Sequence, residues 1–259
     1  MTLVNFADKA DVLLAIFTLS LIVFSRYVVV AGLFYILFYN FYKDTYWHRK
    51  ISKGLRPQGQ AWTEIKWSGI TSLVFGLAGI GLIWMWQRGY TAIYTDVSEF
   101  GLLYLPISFV LILIIHETYY YWLHRWMHRP KIYRWIHKTH HNSIINSPWT
   151  SFSFHPMESI LQAAIVPLLF VFLPTHYSII MAMLVWMTVS ATINHLDIEI
   201  YPENSEKHWF GKWIIGATHH SMHHAKFVKN FGLYFTFWDK WMGTESDEYE
   251  QLFRERTKG

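Results

Sequence analysis

Long apolar runs separated by short polar segments define the pattern of this chain. Residues 12–42 form an almost unbroken apolar run of 31 positions. As a helix this run would be about 46 Å long, against a hydrocarbon thickness of about 30 Å. Arg26 lies near its middle and is costly against lipid, so it should face the protein, snorkel, or mark a break. The pattern predicts either one long membrane span over residues 12–42 or a short hairpin.

Three further apolar segments have the length needed to enter a membrane. Residues 67–86 and 101–122 each suit one span, with the first running outward from a basic loop and the second returning. Residues 159–193 hold two shorter runs separated only by Pro174, Thr175 and His176, which favours a hairpin. We therefore predict an all-α integral membrane protein with about four transmembrane helices, one pair of them a hairpin, in a single domain over residues 1–259.

Composition and charge support a membrane protein and exclude several functions. The chain is 53% hydrophobic and 15% charged, with 14 Trp and 16 Tyr, residues that gather at membrane interfaces. Basic residues concentrate in segments 43–66 and 125–138, beside apolar runs, which is typical of cytoplasmic loops and not of a nucleic-acid surface. The chain has no cysteine, so disulfides, thiolate nucleophiles and iron–sulfur ligation are excluded.

Histidines form three clusters whose members are three or four residues apart, a spacing that projects each set from one helix face. The clusters are His124 with His128, then His137, His140 and His141, and finally His220, His223 and His224. Eight imidazoles exceed the roughly four ligands of a single zinc site. The sequence therefore predicts a helical, histidine-rich domain that holds two metal ions.

Nitrogen ligands alone leave Fe, Zn, Cu and Ni open as the metal. A zinc hydrolase usually carries a general base, as in H-E-x-x-H. His116 and Glu117 begin this motif, but Tyr120 stands where the second histidine belongs. Two irons that activate O2 use the surplus of ligands and place an oxidant where apolar substrates enter. The favoured hypothesis is a di-iron oxidoreductase acting on a lipid C–H bond, and the alternative is a membrane zinc or metal-binding protein or hydrolase without oxygen chemistry.

The residues around the clusters occur in specific, ordered segments. These are Tyr121 to Arg125 with His128, Tyr133, His137 to His141, Pro148, Phe154 to Pro156, Gly216 to His224, Asn230 to Gly232, Trp238 to Lys240, and Gly243 with Thr244. On these segments, from about Glu117 to Thr244, the chain resembles the fatty acid hydroxylase / sterol desaturase superfamily. Within it, the likeness is strongest to the sterol C5-desaturase (lathosterol oxidase) branch.

This resemblance implies a non-haem di-iron centre, O2 as co-substrate, and electrons from a separate carrier such as a cytochrome b5-type protein or a ferredoxin. It implies four membrane helices capped by a cytoplasmic metal domain, and a membrane lipid or sterol that is desaturated or hydroxylated. The expected location is the bacterial inner membrane or the endoplasmic reticulum. Zinc found in a preparation would be a substitute, because it outranks Fe(II) in affinity.

The resemblance also assigns roles to individual residues. All eight clustered histidines match the family's ligand boxes, and His195 resembles an extra ligand that the family supplies between its second and third boxes. His219 is either a tenth ligand or an outer hydrogen-bond donor, and His155 is expected to line a pocket. Glu117 lies seven residues before His124 and so on its helix face, where it could orient an imidazole or serve as a buried packing acid paired with an arginine. Asp239 is a similar candidate for a supporting acid.

Overall fold

The computed structural model describes residues 3–258, and long helices dominate its first two thirds. Helix α1 (Lys9–Ile36) continues through a π turn (Leu37–Phe41) into the short helix α2 (Lys43–Tyr46) and a 3-10 turn (Trp47–Arg49). Helix α3 (Gln60–Gln87) is followed by strand β1 (Ile93–Tyr94), a 3-10 turn (Val97–Glu99) and helix α4 (Tyr104–Met127).

The remaining elements alternate between the histidine segments and a helical hairpin. Helix α5 (Pro130–Ile132), a π turn (Tyr133–His137) and helix α6 (Lys138–His141) lead to a 3-10 turn (Pro148–Phe152) and helix α7 (Pro156–Phe172). Strand β2 (Thr175–His176) connects α7 to helix α8 (Tyr177–Asn194). A 3-10 turn (Gly211–Trp213) and helices α9 (Ala217–Lys226), α10 (Phe237–Trp241) and α11 (Tyr249–Thr257) complete the described part.

Four helices are long and apolar enough to cross a membrane, as judged by length and composition. They are Lys9–Phe41, Gln60–Gln87, Tyr104–Met127 and Tyr177–Asn194, and the apolar helix α7 is shorter at 17 residues. This confirms the predicted all-α, multi-pass membrane fold. Helices α3 and α4 are longer than the predicted segments because polar residues at their ends are helical too.

The first apolar run forms one helix and not a hairpin. Asp8 caps its start by accepting a hydrogen bond from the Ala10 N–H, and the helix continues unbroken past Arg26. Helix α1 packs closely along α3 at Gly76, where a Cβ would lie only 2.9 Å from the Ser20 nitrogen. The absence of a side chain at Gly76 therefore permits the close approach of the two helices.

The turn of the α7–α8 hairpin lies at the end opposite the clustered histidines. Thr175 and His176 pair in parallel with Ile93 and Tyr94, the connection between α3 and α4. His176 Nε2 lies 3.1 Å from the Thr95 carbonyl oxygen. Helix α8, with 18 residues, then places His195 about 27 Å further along.

Candidate metal centre

Four parts of the chain bring histidines to one end of the helix bundle. His124 lies in the last turn of α4 and His128 caps that helix, while His137 ends a π turn directly before α6. His195 caps α8, and helix α9 contributes the last cluster. A π turn is rare and often occurs at functional sites, because it shifts the phase of the side chains that follow it.

Nine of these histidines form two adjoining groups. Group A has five members, His124, His128, His137, His141 and His223, and group B has four members, His140, His195, His220 and His224. Within each group, one ligand atom from every residue lies within 4.8 Å of the others. The groups meet where the rings of His141 and His224 lie 4.5 Å apart. The eight box histidines and His195 are thus all brought together.

In group A, basic nitrogens face one another. His124 Nδ1 lies 2.8 Å from the Phe231 carbonyl oxygen and His137 Nδ1 lies 2.8 Å from Glu158 Oε1, so each Nδ1 carries the proton. A neutral imidazole has one N–H, which leaves lone pairs on the two Nε2 atoms, only 3.0 Å apart. Two lone pairs at this distance repel each other unless a cation lies between them.

Group B repeats this arrangement with its own partners. His195 Nδ1 lies 2.7 Å from the Ala191 carbonyl oxygen, so its Nε2 also carries a lone pair. That Nε2 lies 3.2 Å from His140 Nε2 and 3.0 Å from His220 Nε2. His224 adds a buried Nε2 that has no hydrogen-bond partner among the described residues.

Burial keeps these imidazoles in the neutral form that binds metals. It lowers the pKa of His128 to about 2 and that of His195 to about 4. Burial, followed by the neighbouring imidazoles, also lowers the pKa of His140 and His223 well below the ordinary value. At neutral pH the clustered histidines therefore offer lone pairs and not charges.

The donor set fits two late first-row metal ions. Two nitrogens that are each about 2.0–2.1 Å from one metal lie about 2.8–3.4 Å apart for right-angled to tetrahedral geometry. The observed Nε2 to Nε2 separations of 3.0 to 3.2 Å match this range. The all-nitrogen chemistry suits Fe, Zn, Cu or Ni.

Glu158, in the first turn of α7, is a supporting residue that the sequence analysis missed. Its carboxylate is buried, accepts the hydrogen bond from His137 Nδ1, and also accepts one from Gln162 Nε2 at 3.0 Å. Its signal in the sequence is a lone acid three residues after His155, at the start of an apolar helix. Such a carboxylate fixes the imidazole tautomer and raises its basicity.

Glu117 and Asp239 do not contact a box histidine directly. Glu117 accepts hydrogen bonds from the backbone N–H groups of Leu233 and Tyr234, at distances down to 2.7 Å, and has no arginine partner within residues 3–258. Asp239 accepts from the N–H groups of Phe231 and Gly232, both at 2.8 Å. Both acids therefore hold the loop whose Phe231 carbonyl accepts from His124.

His219 and His155 lie outside both groups. His219 is buried beside Asp239 and Glu245, with its Nε2 3.8 Å and 4.0 Å from their carboxylate oxygens. His155 caps α7 by accepting from the Met157 N–H and packs beside Trp67. The apolar cavity described below is lined by Phe154 of this segment and not by His155, whose observed role is that of a helix cap.

An apolar cavity of about 340 Å³ lies between helices α1, α3, α4, α7 and α8 and reaches His195 of group B. One stripe of α8 lines it, from Ile180 and Met181 to His195, over about 22 Å at 1.5 Å per residue. Ile22 of α1 and Met181 of α8 line the cavity and are about half exposed, so it opens sideways between these helices. His116 and Tyr234 also line the cavity.

The fold and the site define a class: a multi-pass helical membrane protein with a double histidine centre at the end of a lipid-accessible cavity. The family model for fatty acid hydroxylase matches residues 109–244, about half of the chain. The chain belongs to the fatty acid hydroxylase family, which confirms the resemblance found in the sequence.

Curated relatives are sterol enzymes by name. The chain is 33% identical over 167 residues to a Delta(7)-sterol 5(6)-desaturase of Gibberella zeae, covering 64% of this chain and 50% of the relative. It is 32% identical over 236 residues to one of Aspergillus fumigatus, covering 90% and 62%. It is 30% identical over 189 residues to the lathosterol oxidase of Homo sapiens, covering 71% and 60%. The chain thus spans half to about three fifths of these relatives' lengths. No solved structure matches it.

Proposed function

We propose that this chain is a membrane-bound, non-haem di-iron oxidoreductase that uses O2 to desaturate or hydroxylate a C–H bond of a membrane lipid. The observation that carries the proposal is a pair of histidine groups with nine ligand-type histidines, one of which, His195 of group B, lines an apolar, laterally open cavity. An opening between membrane helices admits molecules that are dissolved in the bilayer, which a water-soluble substrate is not.

Groups A and B would each hold one iron ion, and the pair would supply the oxidising power that an unactivated C–H bond requires. The protein's own part is to present neutral imidazoles and to fix their orientation through Phe231, Lys229, Ala191 and Glu158. The apolar cavity wall keeps bulk water from the reacting carbon.

Both reaction types consume O2, two electrons and two protons. Desaturation removes two hydrogens from neighbouring carbons and releases two waters, whereas hydroxylation inserts one oxygen atom and releases one water. The chain has no cysteine and no dinucleotide fingerprint, so the electrons come from an external donor of the cytochrome b5 or ferredoxin type.

The donor would approach next to group A. Residues 118–157 contain no acidic residue. His128 is the group A histidine that is only partly buried, and exposed cations flank it in the sequence: Arg125, Arg129, Lys131, Arg134 and Lys138. By the positive-inside rule this face is cytoplasmic. An acidic donor would be steered to it electrostatically.

A sterol is the first candidate substrate, because the relatives are named as sterol desaturases and oxidases.

The positions of His116 and Glu117 argue against a zinc hydrolase. His116 lines the cavity outside both histidine groups, and Glu117 is bonded to backbone N–H groups. Neither is placed to act as a ligand and base of a hydrolytic zinc site.

The test uses the detergent-solubilised chain loaded with iron, a chemical reductant and a mixture of membrane sterols, fatty acids and lipid esters. We expect O2 uptake that depends on added lipid, together with a product that mass spectrometry shows to be two hydrogens lighter or one oxygen heavier. The zinc-loaded protein is the control and should be inactive. Lipid ester hydrolysis by the zinc form, without oxidation by the iron form, would overturn the proposal.

A further inference from the structure

Arg26 is the single lysine or arginine among the residues that line the apolar cavity, and no carboxylate lines it. The side chain is partly buried, and its Nε is buried without a hydrogen-bond partner. Within residues 3–258, Arg26 makes neither a hydrogen bond nor an ion pair. A guanidinium in a membrane helix normally finds such a partner, because an unpaired charge there is costly.

The buried carboxylates on the neighbouring helices are already engaged. Glu64 of α3 accepts hydrogen bonds from Arg56, Gln60 and Thr150. Glu158 of α7 accepts from His137 and Gln162 through Oε1, and its buried Oε2 has no partner and forms no ion pair with Arg26 within the described residues. The guanidinium is therefore left facing the cavity with its donors free.

Arg26 lies on the metal side of the cavity. The α1 stripe that lines it runs from Leu19 through Ile22 and Val23 to Arg26. The next residue, Tyr27, stacks on Phe152 with ring centres 5.4 Å apart and donates a hydrogen bond to the Trp149 carbonyl. Phe154, two residues after Phe152, lies 5.0 Å from the ring of His140 in group B. The apolar end of the cavity is at Leu19 and Met181, on the side of Arg26 that is further from group B.

We propose that Arg26 binds the oxygen-bearing head of the lipid substrate, a hydroxyl or a carboxylate, while the apolar body extends towards Met181. This assignment rests on the proposed function in taking the bound lipid as the substrate. Arginine suits the role because its planar guanidinium can donate two parallel hydrogen bonds to the two oxygens of a carboxylate, or a charge-assisted hydrogen bond to a hydroxyl oxygen. The lipid therefore enters head-first, and the carbon presented to the histidines lies close to its polar head.

The experiment measures equilibrium binding to the zinc-loaded chain in detergent, so that no turnover occurs. One probe pair is radiolabelled cholesterol and its 3-deoxy analogue, and the other is stearate and octadecane. We expect the wild type to bind at least one oxygenated probe about tenfold more tightly than its deoxygenated partner, the range expected for a hydrogen bond to a charged group. The pair that shows the preference identifies the head as hydroxyl or carboxylate.

Three variants isolate the role of Arg26. Arg26→Met should abolish the preference without lowering the melting temperature, because the guanidinium has no protein partner to lose. Arg26→Lys should restore part of the preference. Arg88→Met is the matched control, since Arg88 is exposed at the end of α3 and lies outside the cavity; it should bind like the wild type.

The proposal is overturned if the wild type shows no preference with either pair, or if Arg26→Met keeps the preference. A melting temperature that falls strongly in Arg26→Met would assign Arg26 a structural role instead. Failure of the proposed function looks different: the head preference would be present and Arg26-dependent, yet the iron-loaded protein would oxidise no lipid.

Discussion

Replacing Glu158 by glutamine should weaken metal binding by group A and leave metal binding by group B unchanged. Glu158 is the one carboxylate among the described residues within hydrogen-bond distance of a box imidazole. It accepts from His137 Nδ1 at 2.8 Å, and His137 belongs to group A. Glutamine keeps the size of the side chain but removes the charge that polarises the imidazole. Group B has no contact with this carboxylate and should be unaffected.

Loss of a carboxylate behind a metal-binding histidine typically lowers metal affinity about 10- to 100-fold, which corresponds to about 1.4–2.7 kcal/mol. The wild type should bind two metal ions per chain under chelator competition. Glu158→Gln should retain one ion with unchanged affinity and bind the second more weakly by this factor. The measurement is zinc content against a series of buffered chelator concentrations.

The matched control is Glu206→Gln, which removes a buried carboxylate paired with Arg254 at 3.0 Å and outside the histidine groups. It should reduce thermal stability and leave both metal affinities unchanged. If Glu158→Gln binds both ions as tightly as the wild type, the imidazole of His137 does not depend on this carboxylate. Equal weakening of both sites would instead contradict the division into groups A and B.

Three further outcomes follow from the structure. His195→Ala should lose the group B metal and turnover, whereas His176→Ala, at the far end of the hairpin, should keep both metals; a metal-free His176 variant beside a working His195 variant would refute the arrangement. Burial lowers the pKa of His195 to about 4, whereas an exposed histidine titrates near 6.5. The unfolded chain therefore binds more protons between these values, and the metal-free protein should lose thermal stability as pH falls from about 6.5 to about 4; a flat profile would contradict this. Reversing the charges of Lys131 and Arg134 should slow reduction by an acidic donor and flatten its salt dependence, and stopped-flow rates equal to the wild type would exclude docking there.

The sequence by itself determined the class of fold and the family. Apolar runs of membrane length and helical histidine spacing are local properties, so they predict helices and ligand faces without knowledge of the packing. The same spacing indicated a two-metal centre, because eight clustered imidazoles exceed one site.

Only the tertiary structure decided how the histidines are shared. His137 and His141 join group A while His140, between them, turns to group B, and in α9 His223 joins group A while His220 and His224 join group B. Spacing fixes the direction of a side chain around its own helix axis, but it does not tell which neighbouring helix that direction meets. The π turn that ends at His137 adds a phase shift that a regular helical pattern does not contain.

The supporting contacts were also beyond the sequence. His124 is held by the Phe231 carbonyl, 107 residues away, and Glu117 acts on the same loop and not on an imidazole. From the sequence, Arg26 could mark a break in the helix, snorkel to the membrane surface, or face the protein. Only the packing of α1 beside α3 and α8 turned its side chain towards the cavity. Such contacts join residues that are distant in the chain, and their geometry exists only once the helices have assembled.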